Sequence, residues 1–118
     1  MNSAMNAYKT TSKSEYTQLG DVIMIYEHIL DCLRVAQRSE PLDLYTNNIV
    51  DAMDNVYTLM FAIDVTQGEI SENLLSLYQY TNRVLVESID MDYEHRNCKI
   101  EEVCSILSEL LSAWVEIK

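Results

Sequence analysis

Glycine and proline are nearly absent, with two and one among 118 residues. So few chain breakers disfavour a turn-rich sheet protein and favour long uninterrupted helices. Positive charge is scarce too: 8 Lys and Arg stand against 19 Asp and Glu, a formal charge of −11. That balance argues against nucleic acid, where clustered cations must displace counterions from phosphates. It argues equally against an anionic membrane surface. No apolar run approaches the roughly 20 residues needed to span a bilayer. The stretch from Met1 to Ser14 is polar and has no apolar signal core. Three cysteines, Cys32, Cys98 and Cys104, make an odd count without a CxxC pair. They read as reduced thiols of a soluble, cytoplasmic protein.

Chemistry-bearing motifs are also missing. Two histidines, His28 and His95, fall short of the repeated Glu-x-x-His that a bundle uses to hold metals. Asp92-x-x-His95 is a lone pair in an expected loop, and Cys98 and Cys104 lack the partners of a zinc site. Phosphate-binding glycine loops and nucleophile elbows are absent. Glu27, Asp31, Glu101 and Glu109 read as solvated helix faces. No enzyme activity, metal or cofactor is expected.

What the chain does contain is four apolar stripes at helical spacing. The first runs Val22, Ile25, Ile29, Leu33 and Ala36, widened by Ile23, Tyr26 and Leu30. Its helix is expected to start near Thr17, with Asp21 at the positive end of the dipole. Ser39-Glu40-Pro41 ends it, Pro41 sitting where an amide hydrogen needs no partner. The second stripe, over 42–63, comprises Tyr45, Ile49, Ala52, Met53, Val56, Leu59, Met60 and Ile63. Gly68 closes the next link, suited to a positive φ. The third, over 69–89, comprises Ile70, Leu74, Leu77, Tyr78, Thr81, Val84, Leu85 and Ser88. Residues 90–97 are expected to form a polar loop. The fourth stripe carries Ile100, Val103, Cys104, Leu107, Leu110, Leu111, Trp114 and Ile117, with Trp114 as a core anchor. Short links between long helices force antiparallel neighbours. The expected fold is an all-α, antiparallel four-helix bundle over 17–118, preceded by a flexible arm at 1–16.

Four segments resemble, in order, the pattern of the FliS family of flagellar secretion chaperones. Ala7-Tyr8-Lys9 stands for the arm motif and Met24-Ile25-Tyr26-Glu27 for the Met-Leu-Tyr-Asp of helix one. Ile63-Asp64, Gly68-Glu69-Ile70-Ser71-Glu72-Asn73-Leu74 and Leu77-Tyr78-Gln79-Tyr80 follow the entry and body of helix three, extended by Arg83 and Leu85. Ile100-Glu101-Glu102-Val103 and Ala113-Trp114 complete the last helix. Thr17-Gln18, Asp21, His28 and the short Thr66-Gln67-Gly68 turn depart from the pattern, as in a divergent member.

The resemblance implies a cytoplasmic export chaperone that binds the C-terminal segment of flagellin and prevents premature polymerisation. It implies delivery to the flagellar export gate, with other flagellar regulators as further partners. Physically, apolar residues beside the core stripe would offer grooves to an amphipathic client. Ile23, Leu30, Leu75 and Val86 are candidates on that ground. Tyr26, Tyr78 and Tyr80 are candidates as rings with a rim hydrogen bond. Tyr8, in an arm without a core, is expected to dock on the bundle or the client. Two alternatives stay open: a structural or regulatory bundle that homodimerises through the same flanks, and a chaperone for another secreted substrate.

Overall fold

A computed structural model describes residues 19–117, and these form four helices joined by short links. Helix α1 spans Leu19–Gln37, α2 Leu42–Phe61, α3 Glu69–Ser88 and α4 Tyr93–Ile117, with a single 3-10 turn at Val65–Gln67 before α3. Asp21 lies in the first turn of α1 and Arg34 in its last, each matching the sign of the helix dipole there. Pro41 precedes α2 with φ −59°, already set for helix entry. Gly68 enters α3 with φ +69°, a left-handed backbone that only glycine adopts without strain. Asp64 shapes the same link. Its carboxylate accepts the Thr66 N–H at 3.0 Å, and its carbonyl accepts the Ser71 hydroxyl at 2.6 Å.

Each helix packs against two neighbours: α1 against α2 and α4, and α3 against the same two. The buried rows step by fours and threes. They are Val22, Tyr26, Ile29, Leu33 and Ala36 on α1, and Tyr45, Ile49, Ala52, Val56 and Leu59 on α2. On α3 the row is Ser71, Leu74, Tyr78, Thr81, Leu85 and Ser88; on α4 it is Arg96, Ile100, Val103 and Leu107, with Trp114 two turns further on. The expected antiparallel four-helix bundle is the observed fold.

Three boundaries and phases differ from the sequence reading. Helix α2 ends at Phe61, two residues early, although Ile63 still tucks into the core. Ile25, Met53, Met60 and Leu77 leave the centre of their stripes for the flanks, because each stripe is wider than the wedge the interior accepts. The polar segment 93–97 is helical rather than loop. Asp92 starts that helix, its carboxylate accepting the His95 backbone N–H at 2.9 Å, the bond expected of a cap. The arm at 1–16 and the start near Thr17 lie outside the described residues.

Two polar clusters tie the ends of the bundle. At one end Tyr26 and Tyr78 share a hydroxyl–hydroxyl bond of 2.5 Å, and their rings meet edge-on at 6.4 Å. The Tyr26 ring meets Trp114 in the same way at 6.3 Å, so α1, α3 and α4 converge there. At the other end the Tyr45 and Ser88 hydroxyls pair at 2.6 Å. Arg96 is buried beside them, its guanidinium 4.1 Å from the Tyr45 ring centre. Its Nη2 donates to the carbonyls of Ser39 and Glu40 at 2.9 and 2.7 Å, clasping the α1–α2 link.

Candidate partner-binding site

Helix α2 carries a second apolar row rotated away from the core: Val50, Met53, Tyr57, Met60 and Phe61. Val50, Tyr57 and Phe61 are exposed, Phe61 by 78 %, while Met53 and Met60 are half-buried. Facing it, α3 presents Gln79, Asn82, Arg83 and Val86 one and two turns apart. Met53, Tyr57 and Met60 complete an open cleft with a volume of about 280 Å³. Its walls are apolar and its floor is not. Asn82 is only 6 % exposed, and neither atom of its side-chain amide has a hydrogen-bond partner. An amide buried without partners costs on the order of 1–3 kcal/mol, so a bound group that satisfied it would recover that penalty. Arg83, on the rim, lies 5.5 Å from the centre of the Tyr80 ring.

The residues singled out in the sequence divide between this surface and the interior. Val86 lines the cleft, and Leu75, half-buried, lies one turn before Gln79 on the same side of α3. Tyr80 is half-buried at the α3–α4 seam and donates its hydroxyl to Glu102. That bond, the largest cause, raises the tyrosine pKa above its ordinary value. Ile23, Tyr26, Leu30 and Tyr78 are buried and contribute to the bundle's own core. Tyr8 lies outside the described residues. Beyond the residues expected from the sequence, this surface includes Met53, Tyr57, Met60, Phe61, Asn82 and Arg83, and for the α2 members the signal in the sequence is the continuation of apolar residues beyond the arc one core can take.

A second, more polar depression at the head of α4 is lined by Asp90, Met91, Asp92, His95, Cys98 and Lys99. Asp92 and the His95 ring pair there at 2.8 Å, and the His95 backbone N–H chiefly holds the Asp92 carboxyl below its usual pKa. This arrangement is accounted for by helix capping. Cys98 is exposed and Cys104 buried. Burial pushes the Cys104 thiol up to about 11, so it packs as a neutral hydrophobe. One group among the described residues has the spacing of metal ligands: His28, Cys32 and Asp51, on the α1–α2 side.

A family model described as Flagellar protein FliS matches residues 1–118. The chain belongs to the FliS family. No curated protein shows significant similarity to it. FliS proteins are flagellar export chaperones rather than known enzymes, and flagellar proteins are their partners. The four-helix bundle accords with that membership. No helix among the described residues is long and apolar enough to cross a membrane. Tyr26, Tyr78 and Trp114, three of the motif residues, meet in one aromatic cluster.

Proposed function

We propose that this FliS protein is a cytoplasmic chaperone that holds the C-terminal segment of flagellin in the α2–α3 cleft before export. The supporting observation is the cleft itself: an exposed apolar row beside an orphaned buried amide. An amphipathic client helix would lay its apolar face on Val50, Tyr57, Phe61 and Val86, with Leu75 and Tyr80 extending the contact. Asn82 would bond the client's polar groups, and Tyr8 would join from the arm. Ile23, Tyr26, Leu30 and Tyr78 would keep the groove rigid from within. Full burial of a large apolar side chain is worth about 1.5–3 kcal/mol, so a few such contacts offset the cost of ordering the client.

The test is titration calorimetry with a C-terminal flagellin fragment against wild type, Val86→Asp, Phe61→Ser and the remote exposed control Val115→Asp. Val86→Asp in the cleft and Phe61→Ser on the apolar row beside it should each weaken binding at least tenfold, about 1.4 kcal/mol, while the control matches wild type. Equal affinities for all four would remove the cleft from the interface. Binding of none, together with an obligate dimer that Val86→Asp dissociates, would favour the homodimer reading.

A further inference from the structure

The α1–α2 seam carries a donor set, apart from the client cleft, in which a core cysteine meets two half-exposed side chains. His28 and Cys32 are four residues apart on α1, hence one turn apart on the same side. Asp51 reaches them from α2. The three facing atoms form a nearly equilateral triangle. His28 Nε2 to Cys32 Sγ is 3.5 Å, Cys32 Sγ to Asp51 Oδ2 is 3.4 Å, and His28 Nε2 to Asp51 Oδ2 is 3.5 Å. We propose that His28, Cys32 and Asp51 form a zinc site that clips α1 to α2 and leaves one coordination position open to solvent.

Geometry carries the assignment. The centre of a tetrahedron with edges of about 3.5 Å lies about 2.1 Å from every corner, within the range of zinc bonds to nitrogen, oxygen and sulfur. The donors therefore need only small adjustments to take the ion. Access is also built in. Cys32 is buried at the base of the triangle, whereas the His28 and Asp51 side chains are 52 % and 53 % exposed. An ion can enter from solvent and keep a water as its fourth ligand. The carboxylate already faces the right way, since Asn55 Nδ2 donates to Asp51 Oδ1 at 3.3 Å and leaves Oδ2 toward the other two donors.

The chemistry selects the metal class. One imidazole, one thiolate and one carboxylate suit zinc, whereas magnesium and calcium prefer oxygen ligands throughout. The Cys32 thiol donates to Asp51 Oδ2. On binding, its sulfur forms the bond to zinc, the S–H proton leaves to solvent, and no oxidation state changes. Thiolate and carboxylate together neutralise the dication. Zinc so held would brace the α1–α2 pair.

Cobalt(II) titration of the reduced full-length protein reads the site directly, because a thiolate ligand gives a sulfur-to-cobalt charge-transfer band. Zinc affinity then follows from displacement of cobalt and from competition with a chromophoric chelator. One equivalent should produce the band, and one equivalent of zinc should abolish it. His28→Ala and Asp51→Asn, both at half-exposed positions, should each weaken zinc at least tenfold while keeping wild-type circular dichroism. Cys98→Ser should bind as wild type, which excludes the exposed thiol as the ligand. The proposal fails if no charge-transfer band forms with stoichiometric cobalt. It fails equally if the band survives both His28→Ala and Asp51→Asn, or is lost in Cys98→Ser.

Discussion

Arg96→Met tests how the bundle fastens the link between α1 and α2. Arg96 is 4 % exposed, and its Nη2 donates to two loop carbonyls at 2.7 and 2.9 Å. Hydrogen bonds to a charged group contribute about 1.5–3 kcal/mol each. The low end applies here, because Ser39 is half-buried and Glu40 exposed, so water can replace the lost donors. Stacking on the Tyr45 ring at 4.1 Å adds on the order of 1 kcal/mol. Against this, Arg96 Nε is buried without an acceptor, a cost of about 1 kcal/mol or more that methionine removes. Methionine also keeps most of the apolar stem.

The balance is a loss of about 2–3 kcal/mol, or roughly 10 °C in Tm for a domain of this size. Arg96→Lys should lose about half as much, since a lysine keeps the charge but cannot fork across two carbonyls. Urea unfolding followed by far-UV circular dichroism gives the magnitude. Hydrogen exchange at the Arg38 and Ser39 amides, which donate to the Val35 and Ala36 carbonyls, should show the link opening first. If Arg96→Met is as stable as wild type, the clasp only offsets the desolvation of the guanidinium, and the reasoning is refuted.

Two further perturbations probe the α3 entry and the core thiol. Gly68→Ala should cost about 1–3 kcal/mol by chemical denaturation, because φ +69° strains any side chain although no atom lies within 4 Å of the new methyl; an unchanged midpoint would show that the link relaxes freely. Stability should fall between pH 9 and 11, where unfolded Cys104 gives up its proton and the folded thiol, pushed from 9.0 to about 11, still holds it. The shift corresponds to about 2–3 kcal/mol, and the buried Tyr45, also raised, adds loss of the same sign. Burial likewise pushes the Cys32 thiol up to about 11, so Cys104→Ala should remove only about half of that decline, and parallel pH curves for the two proteins would contradict it.

The spacing of apolar residues is enough to specify four helices, their antiparallel order and the turn at Gly68. Period and breaker chemistry are local properties, legible one segment at a time. Trp114 and Cys104 fall in the interior for the same reason, being in phase with Leu107 and Leu111. Rotation of each helix about its axis is not legible. Met53 and Met60 match the spacing of core residues as well as Val56 does, and only contact with α3 puts them on a cleft wall. Tyr26 and Tyr78 read as rim tyrosines in the sequence, yet they are enclosed because their helices turn those positions toward Trp114.

Composition hides the head of α4: Tyr93 to Asn97 is polar, yet Asp92 caps it and the aromatic rings of Tyr45 and Tyr93 flank Arg96. His28 and Cys32 stand one turn apart in plain view, but a pair of donors is no site until α2 brings Asp51 within 3.5 Å. Local pattern thus determined which elements form. Only tertiary packing decided which flanks stay open and which distant side chains meet, since both depend on helix phase and on neighbours remote in the chain.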